Sequence, residues 1–279
     1  MTRERPWKAI GYVEVIFYAI TAMVLFLLFL FNRARYSRKN LNRVSIAYTS
    51  IFNIIKIAGG ITMLVELYSK FSEGLVIASY ILNMASLGLL IKALLPMSLW
   101  ENWYGKSSFN EKISKADLEI KEYTSYNDDS RRDKSEHFLK TLLNVLLSAA
   151  TAITIAAGST ITTVPHVAST LYKIGSFLFL ATILIMIFLK VLKLHSWRAQ
   201  PVFNTLIIVG CVLLLVRTCY NIVSAFEGVS LDEQHAHKST FMFGEYTYYC
   251  FMAFLEECLV ILILIGLNFI HAKEMTMMT

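Results

Sequence analysis

Apolar residues accumulate along this chain in seven long runs: Ile10 to Phe31, Val44 to Tyr68, Gly74 to Leu99, Phe138 to Gly158, Ser169 to Leu192, Val202 to Phe226 and Thr247 to Ile270. A helix that crosses a bilayer needs about 20 mostly apolar residues, so each run predicts a spanning helix. The runs leave little chain for a separate soluble domain. No internal repeat and no Gly/Ser-rich or Pro-rich linker divides them, which predicts one membrane domain over residues 1–279. The first run is too long for a signal-peptide core and no small-residue cleavage site follows it, so it is expected to remain as a span. The expected fold is all-α, a polytopic seven-transmembrane helix bundle.

Lys and Arg in the short connecting segments set the orientation, because acids contribute little to that rule. With the N-terminus outside, the inner segments hold Arg33, Arg35, Arg38, Lys39 and Arg43, seven bases between Trp100 and Phe138, and Lys190, Lys193, Arg198 and Lys273, 16 in all. The outer segments hold five: Arg3, Arg5, Lys8, Lys70 and Lys238. The expectation is an outside or lumenal N-terminus and a cytoplasmic C-terminus, in the endoplasmic reticulum or another membrane of the secretory pathway. The net charge of +6 and the pI near 9.0 are then explained by cytoplasmic flanks, so no nucleic-acid partner is expected. The hydrophobic share of 56% agrees with a chain whose surroundings are lipid.

Between the third and fourth runs, residues 101–137 carry seven basic and nine acidic side chains. Ile113, Ala116, Ile120 and Tyr123 recur there at helical spacing among Lys112, Lys115, Glu119 and Glu122, the pattern of a short amphipathic helix on the inner leaflet. The competing reading, a partly ordered cytoplasmic loop whose charges stay in water, is favoured. His235 and His237 form a His-x-His pair in the acidic segment 227–245, but two ligands make a poor site, so no metal is expected. Cys211, Cys219, Cys250 and Cys258 all fall inside runs, where a thiol acts as a small hydrophobe.

Chemistry must therefore come from charges inside the spans. At about 1.5 Å per residue, Lys56 lies about 18 Å into the second run, Arg217 about 14 Å from the outer end of the sixth, and Glu256 and Glu257 about 14 Å into the seventh. All four share one depth. An unpaired charge there costs at least about 2.5 to 3.5 kcal/mol, so Arg217 is expected to pair with Glu256 or Glu257, with Lys56 completing or adjoining the network. The two acids point about 100° apart on a helix, so one can pair while the other faces a cavity or another helix. A carboxyl in an apolar pocket without a cation keeps its proton at neutral pH and can donate it. The competing reading is a buried ion network that only holds three helices in register.

Further polar residues share these helices. Asn53 precedes Lys56 by three positions and Asn221 follows Arg217 by four, which places each on its neighbour's face. Glu14 and Glu66 stand nearer the outer surface, lining an entrance or simply solvated, the latter favoured for Glu66. Lys92 is close enough to the inner end of its run to snorkel. Tyr249 lies one heptad before Glu256, on nearly the same face, where a ring beside an acid suits a cationic intermediate. Mid-span seven lacks the Lys of a retinal protein, the receptor motifs are replaced by Trp100-Glu101-Asn102-Trp103 and Gly266-Leu267-Asn268-Phe269, and no paired His is placed inside the spans for haem.

Val216-Arg217-Thr218-Cys219-Tyr220 in the sixth run, Phe254-Leu255-Glu256-Glu257 in the seventh and Ser86-Leu87-Gly88-Leu89-Leu90 in the third give the chain a resemblance to fungal seven-span proteins. Neighbouring groups are the membrane-bound terpene cyclases of meroterpenoid pathways and the lipid-translocating exporters. Similarity to the cyclases implies an acid that protonates a terminal epoxide or alkene of a farnesyl-type chain. Glu256 or Glu257 would be the donor, Arg217 and Lys56 would tune it, and Tyr249, Asn53, Asn221 and Glu14 would line the substrate site. No metal or other cofactor is required for that chemistry. Similarity to the exporters implies movement of an amphipathic lipid through the same bundle. Either way the expected partners are a hydrophobic or amphipathic small molecule and membrane lipids.

Overall fold

The computed structural model describes residues 4–35, 41–69, 72–99, 118–192, 201–227 and 245–276. Their elements are helices α1 (Glu4–Arg35), α2 (Leu41–Tyr68), α3 (Glu73–Ser98), α4 (Leu118–Ser159), α5 (Pro165–Leu192) and α6 (Pro201–Glu227). The last helix, α7, is built from three consecutive stretches: Tyr246–Tyr249, a π-helical turn Cys250–Phe254, and Leu255–Thr276. Seven helices are long and apolar enough to cross a membrane, and no strand occurs among the described residues. The protein is a multi-pass membrane protein built as an all-α bundle.

Composition decides which helix sits in the middle. α3 is apolar on every side, the pattern of a helix surrounded by protein rather than lying at an edge. It packs against α2, α4, α5, α6 and α7, and none of its residues from Leu75 to Leu99 is exposed. α1, by contrast, turns Val13, Ile16, Ile20 and Met23 outwards. Such a surface in water would be an aggregation site; in hydrocarbon it is the required solvent match.

Helices in a membrane approach closely through small residues, since lipid gives apolar side chains no drive to associate. Gly88 on α3 is such a contact: a Cβ there would press into Thr151 Oγ1 of α4 and come within 3.3 Å of Phe179 on α5. Pro165 and Pro201 open their helices at the first position, where a missing N–H costs no hydrogen bond.

Two local expectations are corrected. Residues 118–137 are helical and continue directly into the fourth span, where a partly ordered loop was favoured. No Gly or Pro occurs between Gly105 and Gly158, so once a turn forms nothing in the sequence stops it. Glu66 is buried rather than solvated: its carboxylate accepts the Ser72 backbone N–H at 3.2 and 3.3 Å and so serves the start of α3, where the Ser72 side chain makes no cap. Lys92 reaches Ser148 Oγ at 2.9 Å in an exposed contact between α3 and α4. His235 and His237, and Ile113 and Ala116 of the amphipathic pattern, lie outside the described residues.

Candidate functional site

Five helices deliver polar side chains to one level of the bundle. Glu257 on α7 is the centre: its Oε2 lies 2.6 Å from Lys56 Nζ of α2 and its Oε1 accepts from Arg217 Nε of α6 at 2.8 Å. Tyr18 of α1 donates to the same Oε2 at 3.2 Å. Lys56 also donates to Asn83 Oδ1 of α3 at 2.6 Å and to Glu14 Oε1 of α1 at 3.4 Å. The ammonium group thus has a partner for each of its three protons.

Tyr249 closes the ring of contacts, its hydroxyl standing 3.2 Å from Glu14 Oε1 and 3.5 Å from Asn83 Oδ1. Arg217 Nη1 donates to Asn221 Oδ1 one turn further along α6. Glu14, Lys56, Arg217 and Glu257 are all buried, two acids against two bases. A formally neutral set is how ionised groups are accommodated away from water, because an unpaired charge would cost several kcal/mol there.

The network separates two apolar regions. On the side of the α1 N-terminus lies an aromatic cluster of Trp7, Tyr80, Tyr172, Tyr220 and Tyr249. The Trp7 and Tyr220 rings pack against Tyr249, with centroids 5.5 and 6.5 Å away. On the other side the core is mainly aliphatic, with Leu90, Leu94, Ile207, Leu214 and Ile261 beside Phe179 and Phe203. Tyr18 stands at the boundary, edge-on to Phe52 and Phe254 at 5.6 and 6.2 Å.

The π turn decides which acid enters the network. Two α-helical turns take about seven residues, which would align Tyr249 with Glu256. Here the Leu255 N–H bonds to the Cys250 carbonyl, an i→i+5 contact that widens one turn by a residue. Eight residues then complete two turns, and Tyr249 comes to the same Lys56 group as Glu257, Glu257 directly and Tyr249 through Glu14 and Asn83. The expectation that Tyr249 stands beside Glu256 is therefore overturned.

Glu256 is placed differently from its neighbour. The residue is 8% exposed, its Oε2 is buried without a hydrogen-bond partner, and it forms no ion pair among the described residues. The side chains expected at the site divide accordingly. Lys56, Arg217, Glu257, Glu14, Tyr249 and Asn221 come together, Glu14 as a buried member and not at an entrance. Asn53 is buried but serves a different contact: its Nδ2 donates to Thr21 Oγ1 of α1 at 3.1 Å, not to the Lys56 group. Asn83 and Tyr18 are central members that sequence reasoning passed over. Asn83 is the one side-chain amide in the third run, and Tyr18 follows Glu14 by one turn, so each left a signal in the sequence.

Residues 123–274, more than half of the chain, match the family described as a domain of unknown function (DUF7702). The chain belongs to this family. The matched stretch holds most of α4 and all of α5 and α6, together with Arg217, Glu256 and Glu257; Glu14, Lys56 and Asn83 come from helices outside it. No curated protein matches the chain, and no solved structure does.

Proposed function

We propose that this DUF7702 protein is a membrane-embedded terpene cyclase that closes rings on a farnesyl-type prenyl chain by protonation, with Glu256 as the acid. The observation that supports this reading is the asymmetry between adjacent carboxyls. Glu257 has both oxygens engaged by cations and anchors the bundle. Glu256 forms no ion pair among the described residues and its Oε2 is buried without a hydrogen-bond partner, and a carboxyl so placed is the group able to hand over a proton.

The step conserves atoms. The Glu256 proton passes to the oxygen of a terminal epoxide, the C–O bond opens, and a tertiary cation forms. The next alkene attacks that cation, making a C–C bond. A proton then leaves the carbon beside the final cation and returns to the Glu256 carboxylate. Product and substrate are isomers, and no metal or redox partner enters. Exclusion of water by the helix packing protects the cation from capture. Lys56, Arg217, Asn83 and Tyr249 act as positioning residues through Glu257 and Glu14.

The test is incubation of membranes containing the chain with prenylated aromatic epoxides, followed by analysis for isomeric products. Cyclised product that disappears in Glu256→Gln supports the reading; a folded wild-type chain that converts no epoxide overturns it. A second reading, translocation of an amphipathic lipid, draws support from the apolar groove that opens on the α6–α7 face between Leu213 and Leu259. Transfer of a labelled lipid between leaflets of proteoliposomes, with no epoxide conversion, favours that alternative.

A further inference from the structure

Where α3, α5 and α6 meet, five buried side-chain groups have no hydrogen-bond partner among the described residues: the hydroxyls of Tyr80, Tyr172 and Ser176, Nδ2 of Asn83 and Nη2 of Arg217. None of these residues is more than 5% exposed. Buried polar groups without partners are costly in an apolar medium and few in native proteins, so five in one region ask for an explanation. Each of the five can donate a proton, and the Asn83 and Arg217 nitrogens can do nothing else. The place is short of acceptors.

Their geometry leaves these donors spare together. Tyr80 and Tyr172 meet edge to face with ring centroids 5.9 Å apart, and their hydroxyls are neighbours outside hydrogen-bonding geometry. The Arg217 charge reaches both phenols. Its Nε is committed to Glu257 and its Nη1 to Asn221, which leaves Nη2. Asn83 follows Tyr80 by three residues on one face of α3 and commits its Oδ1 to Lys56, which leaves the amide nitrogen. Ser176 follows Tyr172 by one turn of α5. Tyr80, Tyr172 and Tyr220 belong to the aromatic cluster, and Arg217 Cζ lies 5.4 Å from the centre of the Tyr220 ring.

Charge decides which acceptor fits. Glu14 and Glu257 already balance Lys56 and Arg217, so an anion would add a negative charge with no cation left to meet it. A neutral oxygen adds lone pairs and no charge. Water is neutral as well, but it carries two protons into a place that has donors to spare, whereas a carbonyl carries none. Aromatic walls suit a flat partner, which packs against ring faces and edges.

We propose that Tyr80, Tyr172 and Arg217, with Asn83 beside them, form a binding site for the carbonyl oxygen of a flat, neutral, largely apolar molecule of the aromatic ketone or quinone class. The assignment does not depend on the role given to Glu256, since no member of the site is on α7.

The test uses the purified full chain in phosphatidylcholine nanodiscs with subsaturating benzophenone, a ketone that inserts into nearby C–H bonds on illumination, and maps the label by peptide mass spectrometry. Label is expected on α3 around Tyr80 and on α5 around Tyr172. Fluorenone should chase it and fluorene, the same rings without the oxygen, should not, because a site built to donate rejects an analogue that cannot accept. Tyr80→Phe and Tyr172→Phe should each lower the label about tenfold, the worth of one hydrogen bond. Their thermal midpoints without ligand should match or exceed that of the parent, because neither hydroxyl has a bond to lose. Label confined to the lipid-facing side chains, chase by fluorene equal to that by fluorenone, or undiminished label in both Phe variants each overturns the assignment. So does stronger chase by fluorene-9-carboxylate, which would make the ligand an anion, and so do lowered midpoints in both Phe variants, which would mean that the hydroxyls already have partners.

Discussion

Tyr249 and Glu257 are eight residues apart on α7, yet both reach the Lys56–Glu14 pair: the Tyr249 hydroxyl lies 3.2 Å from Glu14 Oε1, and Glu257 Oε2 lies 2.6 Å from Lys56 Nζ. An unbroken α-helix would turn about 100° between seven and eight residues and separate them. The π turn Cys250–Phe254 absorbs that angle. Irregular turns of this kind are often found at functional sites, because regular helix is the lower-energy default and something must hold the widened turn in place. Here the holder is the ion network itself.

Deleting Met252 removes the additional residue and should convert the π turn to α-helix, swinging Tyr249 away from Glu14. Loss of one buried hydrogen-bond set costs about 1 to 3 kcal/mol, so the thermal midpoint in detergent should fall by at least as much as in Tyr249→Phe. A deletion variant as stable as the parent would show that the turn does not set the register of α7.

Adjacent Glu256 and Glu257 should respond oppositely to the same substitution. Glu257→Gln strips Arg217 of its ion partner and leaves a buried guanidinium beside Asn221, a change that costs about 3 to 5 kcal/mol. Glu256→Gln removes no ion pair and should alter stability by no more than about 1 kcal/mol, while abolishing cyclisation. Thermal unfolding and product analysis on the two variants side by side check both halves; equal destabilisation would remove the distinction between anchor and acid.

Sequence and structure agree where a single strong cost dominates. Seven apolar runs leave a chain one way to satisfy its backbone in lipid, and the helices follow the runs closely. Arg217 and Glu257 pair because neither tolerates isolation at that depth. What stayed hidden depends on smaller energies or on geometry that no periodicity encodes. The π turn differs from α-helix by one residue, and nothing in Cys250-Phe251-Met252-Ala253-Phe254 announces it. Asn83 is uncharged, so its value as a Lys56 partner emerges only when α2 and α3 are placed side by side. Glu66 looked solvated because its use, the orphan N–H of Ser72, is a property of a turn and not of the span. Residues 118–137 read as loop on charge alone, although charge does not prevent a helix from extending into water.

The coupling between α6 and α7 is open to a double-mutant cycle. Glu257→Gln leaves Arg217 buried without its ion partner and Arg217→Gln leaves Glu257 with Lys56 as its remaining cation, whereas the double variant leaves two neutral amides in contact. The double should therefore be more stable than the sum of the singles predicts, with a coupling of about 0.5 to 3 kcal/mol. Simple additivity would place the two groups outside direct interaction and would contradict the 2.8 Å contact.

Gly88 and Gly266 make opposite demands on a methyl group, which tests the packing around α3 independently of any chemistry. At Gly88 the added carbon meets Thr151 Oγ1 head on and stands 3.2 Å from Thr151 Cβ, so Gly88→Ala must push α3 away from α4. Overpacking of this kind costs about 1 to 3 kcal/mol. Removing the hydroxyl clears the worst contact, and Gly88→Ala combined with Thr151→Ala should recover a large part of the loss. Gly266→Ala meets open space, and the gain in helix propensity of Ala over Gly, about 1 kcal/mol, should leave it at least as stable as the parent. Thermal midpoints of the four proteins decide the matter: a Gly88→Ala variant as stable as Gly266→Ala would mean that α3 and α4 do not approach as closely as the Thr151 contact requires.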